Sequence, residues 1–322
     1  MITWVVTPVY RDVESFLILR EAILESVMKI DIGVLQFVVI DDTGGLDPEI
    51  SRLEPLADVM VFTPPFNLGH QRTIVYALRR LLPRIGDDDL VVTLDADGED
   101  QPGDLTRLID AIRANSGRPS EIALALRTKR RESLRFKVMY QAFRLLFRAL
   151  TGTTVRSGNF AVIPGSVARK VLHHPTFDLS YSSAILALDI PIKYVPCERG
   201  ERYKGRSRMT FGRLSMHGLR MLMPFTDRIA VRALAVFVIA LVVGVILALV
   251  MLAIRIFGGG GIPEWAAFVA LGSLIVSLVA LGNFVTLFVL FSQTRAVSLA
   301  NIETLQEGSP ANDPAPDQSD AP

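Results

Sequence analysis

An α/β domain built on a mostly parallel sheet, followed by a two-helix transmembrane hairpin, is the fold class that this sequence predicts. Three observations carry it. Short apolar runs at 2–7, 36–41, 58–62, 90–95, 121–126 and 191–196 alternate with helical patterns at 13–29, 68–82, 104–114 and 134–150, the alternation that builds a parallel sheet. Polar turns follow the first four runs, on the edge where such sheets take their ligands. Ala233–Ile254 and Trp265–Thr294 carry no charge. At about 1.5 Å per residue, either is long enough to cross a hydrocarbon core of about 30 Å.

Composition agrees with that division. A chain of 322 residues allows about two domains, and a mean hydropathy of +0.37 with half of the residues hydrophobic points to a membrane part. The net charge of +1 hides an uneven distribution. The single Cys197 rules out an intramolecular disulfide and fits a reducing compartment. Met1 leads straight into Ile2–Val6, which reads as a first strand rather than a signal peptide. The expected boundaries are a sheet domain at 1–208, a juxtamembrane basic helix at 209–228, spans at 229–255 and 264–292, and a tail at 293–322. The tail is Pro-, Asp- and Ser-rich and reads as disordered from about 306.

The stretch 91–104, VVTLDADGEDQPGD, organises the rest. A buried-strand pattern ends in Asp95, Asp97, Glu99 and Asp100, four carboxylates within six residues. Such groups repel one another and call for a counter-charge. Mg²⁺ or Mn²⁺ suits them, since either takes a few carboxylates together with substrate phosphate oxygens. The alternative is an acidic turn that caps the helix beginning near Pro102. The other turns are Thr7-Pro8-Val9-Tyr10, Asp41-Asp42-Thr43-Gly44-Gly45 and Asn67-Leu68-Gly69-His70-Gln71-Arg72.

Taken in order, Pro8-Val9-Tyr10 with Glu14, Val39-Ile40-Asp41-Asp42, Asn67-Leu68-Gly69, and Asp95-Ala96-Asp97 with Pro102 resemble the family 2 glycosyltransferases. These use nucleotide-sugar donors on a GT-A type fold. The resemblance spans about residues 1–215 and is strongest to the polyprenyl-phosphate sugar transferases. It implies a nucleotide-diphosphate sugar as donor and a polyprenyl phosphate lipid as acceptor. It places Tyr10, Glu14 and Asp42 at the nucleoside, with Pro8, Asn67 and Gly69 in the donor motifs. Asp95 falls at the donor sugar or ribose, and Asp97 holds the metal at the diphosphate. The family often has Gln where Glu99 stands, so Glu99 is either a second ligand or a charge that complements a helix N-terminus. His70 either touches the donor phosphates or stabilises its turn.

Two basic clusters follow. In 127–148, eight Lys and Arg residues stand against Glu132 alone, and Met139, Phe143, Leu146 and Leu150 share one helical face. The segment is suited to an anionic membrane surface, or else packs its apolar face on the sheet. In 202–232, eight more stand against Asp227 alone. The segment 202–208 reads as a mobile loop, and the family's basic loop at this place closes over the diphosphate and acceptor. The same charges would also flank a membrane span, and with Arg295 they put both termini and the catalytic domain on the cytoplasmic side. Nucleic acid is not expected, because no recognition motif accompanies the basic residues. Self-association into a homo-oligomer is left open. Asn283, inside the second span, could bond to a neighbouring helix. His173-His174 has no third ligand at metal spacing and reads as a helix-end feature.

One departure bears on the acceptor. Where the family commonly reads Gly-Asp-Phe, this chain has Gly158-Asn159-Phe160. Asn159 cannot accept a proton as a base. A sugar hydroxyl usually needs one, whereas a phosphate monoester with a second pKa of about 6 is already largely dianionic and needs positioning. Arg127, Arg131 and Arg206, with Arg202 and Lys204 in the same basic segments, are the residues chosen to position it. Asp178 or Asp189 could still supply a base. The expectation is an inverting, metal-dependent glycosyltransferase of the cell envelope. Transfer to a glycolipid hydroxyl, and a non-catalytic nucleotide-sugar-binding scaffold, stand as the alternatives.

Overall fold

The computed structural model describes residues 1–28, 30–114, 121–127, 134–155, 157–204, 211–257 and 264–294. In chain order these form β1 (Ile2–Val9), α1 (Val13–Val27), β2 (Val34–Asp41), β3 (Val59–Phe62), α2 (His70–Leu81), β4 (Leu90–Thr93), α3 (Asp104–Arg113), β5 (Ile122–Arg127) and α4 (Leu134–Thr151). There follow β6 (Ser157–Pro164), α5 (Gly165–Val171), α6 (Tyr181–Ala187), β7 (Ile192–Cys197), α7 (Phe211–Leu222), α8 (Thr226–Phe257) and α9 (Glu264–Thr294).

The seven strands form one sheet in the order β3-β2-β1-β4-β6-β5-β7, and only β6 runs antiparallel to its neighbours. This is the mostly parallel, GT-A type sheet that the sequence predicts. Strand β6 and helices α5 and α6 were not anticipated. The segment Phe160-Ala161-Val162-Ile163 is apolar without alternation, and a short run of that kind does not separate strand from helix.

Both faces of the sheet are covered. Along β1, Val5 and Val9 join one core with Phe16, Leu19, Phe37, Leu105 and Leu108, against α1 and α3. Trp4 and Val6 join the other, with Ile74, Leu78, Leu124, Phe177 and Tyr181, against α2 and α6. Strands buried on both faces read as continuous apolar runs, which explains why 90–95 is apolar up to its acidic end. The amino end of β1 is pinned by Asp89, whose carboxylate accepts from the Ile2 N–H (2.6 Å), the Trp4 indole (3.2 Å) and the Gly86 N–H (2.9 Å).

The chain divides into two compact units, Met1–Gln141 with Val155–Pro224, and Ala142–Thr154 with Phe225–Val297. The sheet lies in the first. In the second, Phe147 at the end of α4 packs edge-on against Phe225 (5.4 Å between centroids), and the Arg228 guanidinium lies over the Phe225 ring at 5.5 Å. Phe147 is fully buried, while Leu145 and Leu146 are exposed.

Helices α8 and α9 are long and apolar enough to cross a membrane. Most of their large apolar side chains point outward, Ile239, Leu249, Phe268 and Leu278 among them. They approach closely where Gly244 faces Ser273; a Cβ at Gly244 would lie 2.8 Å from Ser273 Oγ, the small-residue contact by which apolar helices associate. Asn283 lies on the exposed face of α9. Helix α8 begins a few residues earlier than expected because Pro224 ends α7, and a 3₁₀ turn at Met223–Phe225 separates the two. Gly258–Pro263 and everything from Arg295, the tail included, lie outside the described residues.

Candidate active site

The carboxyl ends of β1, β2 and β4 bring three of the polar turns together. Because β6 runs antiparallel, its amino end arrives at the same edge and carries Asn159 with it. Thr93 pairs with Ala161 across β4 and β6, and the Thr93 hydroxyl donates to Asn159 O at 2.6 Å. No sequence period could show this pairing, since it joins residues 66 positions apart.

At the end of β1 the chain turns through Arg11, held in the left-handed region at φ 52°. Such a conformation is uncommon for a non-glycine residue. Pro8 is half-buried, and the turn leaves Tyr10 46% exposed. Glu14 stands in the first turn of α1 and pairs with Lys204, which lowers its pKa.

Asp41 and Asp42 are both buried and serve different turns. Asp41 accepts from the Thr43 N–H, the Thr43 hydroxyl and the Gly45 N–H, closing its own turn. Asp42 Oδ1 accepts from the Leu68 N–H at 2.9 Å and the Thr73 hydroxyl at 2.5 Å, and so holds the turn that precedes α2. Asn67 in that turn is exposed, and Gly69 N-caps α2 at φ 78° with open space where a Cβ would stand.

Asp95, His70 and Asn159 meet in the middle. Asp95 Oδ1 lies 3.1 Å from His70 Nε2 and accepts from Asn159 Nδ2 at 3.2 Å, while Asn159 Nδ2 also meets His70 Nε2. Burial alone would lower the His70 pKa. The Asp95 charge and hydrogen bond, with Asp97 and Asp42 behind them, outweigh it and raise the pKa. The other side of Asn159 is held by Gln71, whose Nε2 donates to Asn159 Oδ1 at 2.6 Å. The sequence carries no signal for this role of Gln71, because its partners at the start of α6, Ser180 and Ser182, are 109 and 111 residues away.

The acidic loop is crossed by the strand-like segment that follows β7. Asp100 bridges Arg199 in antiparallel fashion, the Gly200 N–H donates to Glu99 O at 2.8 Å, and the Tyr203 N–H donates to Asp97 O at 2.9 Å. Gly98 permits this approach; its φ is 85°, and a Cβ there would lie 2.8 Å from the Tyr203 ring. The side chains then pair across the crossing. Arg202 Nη2 reaches Asp97 Oδ2 at 2.7 Å and Arg202 Nε reaches Glu99 Oε1 at 3.0 Å. Arg199 takes Glu99 Oε2. Arg199 lay just before the basic stretch as read from the sequence, so its role appears only here. The loop is not a cap for α3, which starts at Asp104 behind Gly103 without a side-chain cap bond.

The carboxylates fit a hard divalent cation. Burial raises the Asp97 pKa, and Asp95 and Glu99 add to the rise against the hydrogen bond from the Glu99 N–H and the charge of Arg202. Surplus negative charge on hard oxygen donors is what such an ion relieves. Among the described residues no group of three or more His, Cys, Asp or Glu forms a metal cluster. Side chains would therefore supply only part of a coordination shell, as is usual where substrate phosphates supply the rest. Both Glu99 oxygens face guanidinium groups, and both Asp97 oxygens are engaged too, Oδ1 by the Glu99 N–H at 3.0 Å and Oδ2 by Arg202 at 2.7 Å.

The remaining sequence-predicted residues are dispersed or undescribed. Arg127 closes β5, whereas Arg131 and Arg206 lie outside the described residues. Asp178 pairs with Arg79 of α2, and Asp189 stands in a left-handed turn after α6. His174 Nδ1 accepts from the Thr176 N–H and caps a 3₁₀ turn.

Known proteins bear on this arrangement. Two curated relatives are named undecaprenyl-phosphate 4-deoxy-4-formamido-L-arabinose transferase. The one from Enterobacter sp. (strain 638) is 26% identical over 310 residues, and the one from Pectobacterium atrosepticum is 25% identical over 302; each match covers 87% of this chain and 87% of the relative. Among solved structures, a mannosyltransferase from Pyrobaculum calidifontis in complex with GDP-Man and Mn²⁺ is 15% identical, with a TM-score of 0.44 over 96% of this chain and 79% of that one. Glucosyl-3-phosphoglycerate synthase from Mycobacterium tuberculosis, in complex with Mn²⁺, UDP and glucosyl-3-phosphoglycerate, is 18% identical, with a TM-score of 0.44 over 70% of this chain and 79% of that one. The model of glycosyl transferase family 2 matches residues 4–172, a stretch that holds His70, Asp95, Asp97 and Asn159 and more than half of the chain, and the protein belongs to that family.

Proposed function

We propose that this protein is an inverting, metal-dependent glycosyltransferase that moves a sugar from a nucleotide-diphosphate donor to a polyprenyl phosphate at the cytoplasmic face of a membrane. The observation that carries the reading is Asn159, an amide locked by hydrogen bonds beside Asp95 where an acidic residue would serve a hydroxyl acceptor. An amide takes no proton, so the acceptor must arrive already ionised. A phosphate monoester, with a second pKa of about 6, does so at neutral pH. The names of the curated relatives, which carry undecaprenyl phosphate, support the same acceptor class.

Tyr10 and Glu14 flank the nucleoside, and Asp42 acts on it through the turn it holds. The N-terminus of α2 behind Gly69 favours the negative diphosphate. Asp95, fixed by His70 and Asn159, orients the donor sugar or ribose. Asp97 would hold Mg²⁺ or Mn²⁺, and the ion would neutralise charge on the leaving diphosphate. Arg199 and Arg202 add positive charge over the same loop, and Lys204 pairs with Glu14 beside it in the donor motifs. An acceptor phosphate oxygen attacks the anomeric carbon as the bond to the diphosphate oxygen breaks, and the bonding pair leaves with the diphosphate. A single displacement of this kind inverts the configuration. Arg127, Arg131 and Arg206 position the acceptor, since guanidinium matches phosphate in a two-pronged way. Helices α8 and α9 span the membrane as a hairpin that anchors the chain to it.

The test is to incubate membranes containing the protein with a panel of radiolabelled nucleotide sugars and then to extract lipid. Label in an acid-labile polyprenyl-phosphate sugar is expected. Label confined to a phosphate-free glycolipid would refute the acceptor assignment.

A further inference from the structure

We infer that Gln71 is a positioning residue that sets the amide orientation of Asn159 and thereby presents an N–H, not a carbonyl, to the Asp95 carboxylate. The backbone nitrogen of Ser182, in the first turn of α6, can only donate, and it lies 2.9 Å from Gln71 Oε1. The Ser182 and Ser180 hydroxyls approach the same oxygen at 3.0 Å and 3.2 Å. With Oε1 committed, Gln71 Nε2 faces Asn159 Oδ1 at 2.6 Å, and Asn159 Nδ2 faces Asp95 Oδ1 at 3.2 Å.

Reversing any member breaks the series. A flipped Asn159 would set its carbonyl against the Asp95 carboxylate and its N–H₂ against the Gln71 N–H₂. Flipping Gln71 as well would set two donors against each other at Ser182. Three sites distant in sequence, on α2, β6 and α6, thus share one hydrogen-bond polarity as far as Asn159 Nδ2, which meets both Asp95 Oδ1 and His70 Nε2. His70 Nε2 approaches the same Asp95 oxygen beside the Asn159 amide, so the two side chains meet Asp95 Oδ1 together. The same series explains why an amide suits position 159. An aspartate there would still accept from Gln71, but it would turn a second negative charge toward Asp95.

Two variants separate orientation from simple packing. Gln71→Glu keeps the shape and still accepts from Ser182, but it offers a second acceptor to Asn159. Asn159 must then turn its N–H₂ to residue 71 and its carbonyl to Asp95. Gln71→Met removes the partner without forcing that turn. The kinetic arm rests on the glycosyl-transfer reading and the spectroscopic arm does not. Both use the full chain in lipid nanodiscs, with asparagine side-chain amides labelled with ¹⁵N; the chain has six asparagines, and the Asn159 pair is assigned by its loss in Asn159→Ser. We expect the Asn159 amide resonances to move further in Gln71→Glu than in Gln71→Met. We expect kcat to fall about 100-fold in the former and about 10-fold in the latter, with donor KM changed less than about threefold, as befits misplacement of a reacting group. Both variants should unfold within a few degrees of the wild type, about the shift that a change of 1 kcal/mol produces in a chain of this size. Equal losses in the two variants, or Asn159 resonances unmoved by Gln71→Glu, would overturn the inference. If the wild type itself glycosylates no polyprenyl phosphate, the functional reading fails, and the resonances alone then decide the role of Gln71.

Discussion

Arg202 lies on Asp97: one guanidinium nitrogen is 2.7 Å from the carboxylate oxygen Oδ2, and the same side chain reaches Glu99 at 3.0 Å. The arginine holds charge that the acidic loop would otherwise leave in conflict, and it ties the segment after β7 to the loop after β4. Asp97→Asn removes the ion pair and replaces a charged oxygen donor with a neutral amide. Turnover in this variant is expected to fall by at least about 1,000-fold, the scale of losing an electrostatic group at a leaving diphosphate. In the wild type, excess chelator should abolish turnover and Mg²⁺ or Mn²⁺ should restore it. Full activity in excess chelator would remove the metal from the mechanism.

The raised pKa of Asp97 also makes a statement about stability. The folded state binds the proton more tightly than the unfolded state, so stability falls as pH rises from the ordinary carboxylate range through the folded-state pKa. Asp97→Asn has no such charge to lose, and its unfolding free energy should vary less with pH over that window. Urea titrations at a series of pH values read this directly. A steeper fall in the variant than in the wild type would contradict the sign.

Asp42 is expected to act through structure before it acts on a ligand. Its removal in Asp42→Ala leaves the Leu68 N–H and the Thr73 hydroxyl without their acceptor, at a cost of about 1–3 kcal/mol for each buried group. Thr73→Val loses only one side of one bond and should cost about 1 kcal/mol. Denaturant unfolding of the two variants checks the order. A neutral Asp42→Ala would show that the turn is held by something else.

Cys197 supplies a silent background for mapping the membrane orientation. It is buried, and burial, with Asp104 beside it, pushes its pKa up to about 12. The thiolate is the reactive form, so this cysteine should resist alkylation at pH 8 until the chain unfolds. Cysteines introduced one at a time at Gly260 and Ser319 can then be read without replacing it. Gly260→Cys should react with an impermeant reagent in intact cells and Ser319→Cys should not. The reverse pattern would mean that both termini face outward.

Arg131→Ala tests the acceptor side. Its expected effect is a rise in KM for polyprenyl phosphate of about tenfold, with binding of the nucleotide sugar changed less, since a charged hydrogen bond is worth about 1.5–3 kcal/mol. Equilibrium binding of the donor and kinetics in the acceptor separate the two. A larger loss in donor binding than in acceptor use would place Arg131 on the nucleotide instead.

Much of this protein was legible in the sequence because its signals are local. The apolar runs of β1, β2 and β4 and the acidic loop after β4 are readable from period, composition and short motifs, and so are the two long apolar helices. Each depends on the chemistry of neighbouring residues. What tertiary structure decided is pairing across long separations. Strand β6 escaped notice because an apolar run of four residues has no distinctive period, yet its antiparallel placement is what carries Asn159 to Asp95. Arg199 and Arg202 read as general positive charge, and only the crossing of the acidic loop assigns them to Glu99 and Asp97. Gln71 looked like a turn residue because its partners, Ser180 and Ser182, are brought to it by the packing of α6 against α2 on one face of the sheet. A hydrogen bond needs its atoms within about 3 Å. Sequence can propose the donors and acceptors, and only the fold brings them to that distance.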